Sequence, residues 1–114
     1  MRILASTSLA DISERFERIG VDERAREIML DKFSFYILDL PAVRNVEANI
    51  LKQEMLVLGG EAAVNKHTIS CSIVETPVLL AGTKKMFRDL VKRLREQTGM
   101  LPDIAEELST LLSL

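Results

Sequence analysis

The chain is 114 residues long, 47% hydrophobic and 28% charged, which fits one globular domain with a core of its own. Its 15 basic and 17 acidic residues leave a net charge of −2, too balanced for an electrostatic footprint on nucleic acid or anionic lipid. Four Phe, one Tyr and no Trp give no stacking platform for single strands, and a lone Cys71 excludes an internal disulfide framework and fits a reducing cytoplasm.

In the opening MRILASTSLADISERF, Asp11 and Glu14 interrupt any apolar run, so it fails as a signal peptide. No segment approaches the ~18 uninterrupted apolar residues of a membrane span. A soluble, cytoplasmic protein is expected. Leu9, Ile12, Phe16 and Ile19 then repeat at helical spacing. Ser8 with Asp11 three residues on predicts a capping box, and Gly20 a stop. A second short helix follows in GVDERAREIMLDK, with Asp22 as N-cap and Ala25, Ile28 and Met29 facing inward.

The period changes at FSFYILDL, Phe33 to Leu40, whose aromatic and branched residues predict a strand. Clean polar alternation is missing, which suits a strand covered on both faces or covered by helices on one. Pro41 is read as the opening of a helix from about Val43 to Leu58, with Val43, Val46, Ile50, Leu51, Met55 and Leu58 as its apolar stripe. Gly59 and Gly60 make the corner that ends it, since glycine takes the left-handed conformation that other residues resist.

Two strands are predicted next, Ala62 to Lys66 and Val78 to Ala81, with a further extended piece at Cys71 to Val74. Pro77 cannot donate a ladder hydrogen bond and belongs at a strand start or an edge. Thr83 is the expected N-cap of KKMFRDLVKRLREQ, where Met86, Phe87, Leu90, Val91 and Leu94 form the strongest amphipathic pattern in the chain. Gly99 ends that helix, and Pro102 starts a last one with Ile104, Ala105, Leu108, Leu111 and Leu112 on one side. The fold class is α+β: residues 1–114 form a single domain, order α-α-β-α-β-β-α-α, with helices packed on a small three- to four-stranded sheet.

Few constellations carry chemistry. His67 and Cys71 lie four apart, but no further ligand pair and no orienting third group accompanies them. They read as a surface histidine beside a half-buried thiol, and neither a metal nor a cofactor is expected. Gly82, Thr83, Lys84 and Lys85 stand at a helix start, where free N–H groups and ammonium charges suit a phosphate or carboxylate, although any capped strand-to-helix junction looks the same. LGGEAAV is no phosphate loop, because a helix precedes its glycines and Glu61 follows them. Asn45, Asn49 and Gln53 recur every four residues on the face that carries Lys52, a row that suits contact with a partner or a second copy. Nothing assembles a nucleophile, base and oxyanion donor.

The stretches GVDERAREIMLDK, NILKQEMLVLGGEAAV and VLLAGTKKMFRDLVKRL are together similar to the amino-terminal extension of certain bacterial and archaeal dihydropteroate synthases. The likeness runs from about Ile19 to Leu94, and its most specific block is Asn49 to Val64, with Glu61 where the family pattern has Asp. The resemblance implies a place in folate or methanopterin biosynthesis, beside a barrel that joins a pterin pyrophosphate to para-aminobenzoate. The barrel's motif of the type Asn-Val-Thr-Pro-Asp-Ser-Phe is absent from these 114 residues, so no catalytic residue carries over. The chain is expected to be a domain of a longer synthase or a free-standing relative. On this reading it is non-catalytic and serves oligomerisation or docking to the barrel. The alternatives are a module binding a pterin or another acidic metabolite at Thr83, Lys84 and Lys85, and a small enzyme using His67 or Cys71.

Overall fold

A computed structural model describes all 114 residues. Five helices and three strands follow in the order α1 (Leu9–Ile19), α2 (Glu23–Phe33), β1 (Phe35–Arg44), α3 (Asn45–Val57), β2 (Glu61–Ala63), β3 (Glu75–Thr83), α4 (Lys84–Arg95) and α5 (Leu101–Leu111). The α+β class and the element order agree with the sequence reading. The sheet has three strands in the order β1-β3-β2, both pairs antiparallel.

The helix starts are set by local chemistry. The Ser8 hydroxyl accepts from Asp11 N–H while the Asp11 carboxylate accepts from Ser8 N–H, the reciprocal box that satisfies two orphan donors. Asp22 accepts from Arg24 N–H, and Thr83 Oγ1 from Met86 N–H. Gly20 closes α1 at φ 84°, the left-handed turn expected of a glycine stop.

Four expectations need correcting. Pro41 does not open a helix: β1 runs through it to Arg44, and the pairing with β3 slips between Leu40 and Val43. A bulge on an edge strand tolerates the missing donor. Val43 is therefore a buried strand residue, α3 begins at Asn45, and its inward stripe is Glu47, Ala48, Leu51 and Met55, with Val46 exposed. The piece from Cys71 to Val74 is no strand. Bonds from Thr68 N–H to Asn65, Cys71 N–H to Thr68 and Ser72 N–H to His67 wind it into successive turns, with Cys71 at φ 57°. Ile28, read as facing inward from α2, is 59% exposed; Pro77, by contrast, lies near the start of β3 and beyond the reach of β2, which pairs only with Leu79 to Ala81.

One cluster of 16 buried residues forms the core, drawn from β1, α3, β2, β3, α4 and α5. Leu51, Met55, Leu80, Phe87, Leu90 and Leu94 are its fully buried large side chains, with Leu101 from α5. The first two helices stand outside this cluster. α1 buries Ile12 and Phe16, the Phe16 ring meeting Phe33 edge-on with centroids 5.2 Å apart, while α2 buries no residue. The pair is tied to the body by Arg88, whose Nε and Nη2 both donate to Asp31 Oδ2 at 3.1 and 3.0 Å, and by Lys84 N–H donating to the Ser34 carbonyl. The molecule measures 53 × 30 × 21 Å, and its radius of gyration of 16.4 Å exceeds the ~13 Å of a compact chain this long. No helix is long and apolar enough to cross a membrane.

Candidate functional site

Strand periodicity divides the sheet into two faces. Tyr36, Leu38 and Leu40 of β1, Val78 and Leu80 of β3 and Ala62 of β2 point into the core beneath the helices. Phe35, Ile37 and Asp39, Pro77, Leu79 and Ala81, and Glu61 and Ala63 point the other way. The register sets Ile37, Ala81 and Glu61 side by side in one row and Asp39, Leu79 and Ala63 in the next, with Phe35 opposite Thr83. Phe35 and Ile37 are each 64% exposed and Leu79 47%, so three large apolar side chains share a surface with no helix above it. A shallow depression of about 310 Å³ beside Leu79, Ala63 and Pro77 opens on the same side. The edge of this surface is the long, unpaired side of β1, a strand able to take a neighbour.

The residues singled out in the sequence are dispersed around other tasks. Asn45 Nδ2 donates to the Ile73 carbonyl at 2.6 Å and Asn49 Nδ2 to the Thr68 carbonyl at 2.9 Å. Two of the three amides in the predicted row thus fasten the 64–74 loop to α3. Gln53 is exposed and Lys52 half-buried; Glu54 pairs with Arg93 of α4 at 3.2 Å. Within the same loop the Thr68 hydroxyl is buried without a hydrogen-bond partner.

At the start of α4, Thr83 caps Met86 N–H, Lys84 N–H is bound to Ser34, and Lys85 Nζ pairs with Asp89 Oδ2 at 2.6 Å. Two of the N–H groups an anion would use are already satisfied. Gly82 is buried here for steric reasons, because a Cβ on it would lie 2.5 Å from Met55 Cε. A Cβ on Gly60 would lie 2.5 Å from the same methyl and 2.8 Å from the Ala81 carbonyl, while Gly59 takes φ 92°. The glycine pair therefore makes a corner wrapped around Met55.

His67 and Cys71 are both exposed, and no three His, Cys, Asp or Glu side chains gather into a metal-binding group. The cavity between β1 and α5, lined by Leu38, Leu40, Ile104 and Leu108 among others, holds about 80 Å³, well below the ~300 Å³ of small-ligand sites.

Sequence reasoning missed Glu47, a buried carboxylate in the first turn of α3. Burial alone pushes its carboxyl up, but the Glu47 and Met100 backbone N–H groups and the Arg44 guanidinium outweigh that and hold it below its ordinary value. It joins the start of α3 to the α4–α5 turn, where Gly99 lies against it. For β1 the sequence left two readings, covered on both faces or covered by helices on one, and the exposed Phe35 and Ile37 select the second. Comparisons with known protein families, with curated proteins and with solved structures find no match to this chain.

Proposed function

We propose that the chain is a non-catalytic assembly domain of the dihydropteroate synthase kind, acting in oligomerisation or in docking to the pterin-binding barrel within cytoplasmic pterin and folate biosynthesis. The observation that carries the assembly role is the open sheet face of Phe35, Ile37 and Leu79. The link to the synthase is supported by the resemblance of Asn49 to Val64. That block is one helix-corner-strand unit, with Asn49 holding the 64–74 loop, Leu51, Met55 and Ala62 in the core, and Gly60 against Met55. The block's residues thus serve packing, as a scaffold without catalytic duty requires.

The test is a titration of the isotopically labelled chain with a separately produced dihydropteroate synthase barrel. The expected result is binding with amide and methyl shifts concentrated at Phe35, Ile37 and Leu79, lost in Ile37→Asp. Absence of binding to the barrel and to itself would overturn the proposal. Shifts at Thr83, Lys84 and Lys85 on adding a pterin pyrophosphate would favour the ligand-binding alternative.

A further inference from the structure

We propose that the free edge of β1 takes an extended segment of another protein as a fourth strand, one in which apolar residues alternate with Lys or Arg and the apolar side chains enter the cleft between β1 and α5. This goes beyond the assembly reading, for it concerns the edge and core side of β1 and not the outer face of the sheet.

The backbone is the first argument. Lys84 N–H donates to the Ser34 carbonyl, and the register continues with Phe35 opposite Thr83 and Tyr36 opposite Gly82. Antiparallel bonding alternates along a strand. Tyr36, Leu38 and Leu40 therefore bond to β3, while Phe35, Ile37 and Asp39 turn their N–H and C=O groups to the unpaired edge. The slip after Leu40 and the missing donor of Pro41 end this regular stretch. The edge from Phe35 to Leu40 is thus open to main-chain pairing, the mode by which extended peptides add to a sheet.

The cleft is the second. Tyr36, Leu38 and Leu40 point toward the helices yet stay half-buried. Leu38 and Leu40 of β1 and Ile104, Leu108 and the 66% exposed Leu111 of α5 line the space beside them. Its 80 Å³ is too little for a cofactor and suits the aliphatic side chains of an added strand, every second one of which falls on this side.

Charge names the occupant. The other two lining residues are Asp39 and Glu107, both exposed and both outside the chain's ion pairs. No base lines the cleft, so a strand that brings Lys or Arg between its apolar residues is matched and an acidic one repelled. A second β1 is a poor match. It carries no base before Arg44, and antiparallel pairing sets its Asp39 opposite an apolar residue or another Asp39.

Amide hydrogen exchange on the isotopically labelled full chain tests this. The probe is acetyl-Lys-Val-Lys-Val-Lys-Val-amide, taken to millimolar concentration, and the control is the same peptide with Glu in place of Lys. The Phe35, Ile37 and Asp39 amides are expected to exchange freely in the free chain and at least about tenfold more slowly with the basic peptide. Tyr36 and Leu38, already bonded to β3, stay protected throughout, and the acidic peptide changes nothing. The double variant Asp39→Lys with Glu107→Lys, both at exposed positions, is expected to reverse the preference. Failure of the basic peptide to slow the three amides, an equal effect from the acidic peptide, or an unchanged preference in the double variant overturns the proposal. Protection of the three amides in the concentrated free chain, lost on dilution, would make a second copy the occupant and overturn it as well.

Discussion

Gly99 lies so close to the Glu47 carboxylate that a Cβ at this position would collide with it. The turn between α4 and α5 is thereby locked onto the start of α3. Gly99 also takes φ 68°, where an L side chain costs about 1–2 kcal/mol. Gly99→Ala carries both penalties and should lower the stability read from urea unfolding by more than ~1 kcal/mol, with α5 the first element to lose amide protection.

The same carboxylate gives the fold an acid dependence of known sign. Glu47 titrates below its ordinary 4.5 in the folded state, so the unfolded chain binds more protons across that interval. Its contribution is complete above 4.5 and is lost as pH falls through the lower, folded value. Asp11 and Asp22 are also held low, by hydrogen bonds to Ser8 and Arg24 respectively. The informative quantity is therefore the difference between wild type and Glu47→Gln. The variant should be less stable at neutral pH and converge on the wild type well below pH 4.5; parallel curves would mean that Glu47 has no such role.

Around Met55 the prediction concerns additivity. Gly60→Ala pushes a methyl toward both the Met55 side chain and the Ala81 carbonyl. Gly82→Ala meets only the side chains of Met55 and Met86, which can move. The first should cost about 1–3 kcal/mol and the second less. Met55→Ala alone should cost about 2–5 kcal/mol, but combined with Gly82→Ala it should cost less than the two changes summed, because the cavity receives the new methyl.

The loop from residue 64 to 74 depends on two amides. Asn45→Ala and Asn49→Ala each remove a donor to a loop carbonyl and should each cost about 1 kcal/mol. Limited proteolysis should then cut near His67 to Ser72 sooner than in the wild type, with the core fragments unchanged.

What could be read in advance follows from the range of the physics. The box formed by Ser8 with Asp11, the caps at Asp22 and Thr83 and the stop at Gly20 are decided within four residues, and all were legible in the sequence. Pro41 suits a helix start and a strand bulge equally, and only the pairing partner, β3, selects the bulge. Asn45 and Asn49 have helical spacing, but their partners lie 28 and 19 residues away. The open face was least legible. A strand apolar on both sides looks the same whether its second side is covered or bare, and that depends on all five helices packing elsewhere.

The central claim is that the bare side of the sheet is where this protein meets another. The most direct measurement is the solvent paramagnetic relaxation of the Ile37 and Leu79 methyl groups, followed on dilution and on addition of the synthase barrel, with the exposed Ile28 methyl as reference. The account predicts protection of Ile37 and Leu79 in the concentrated or barrel-bound protein, loss of it on dilution, and constant exposure at Ile28. Ile37 and Leu79 methyls as open to the relaxation agent as Ile28 under every condition would contradict it.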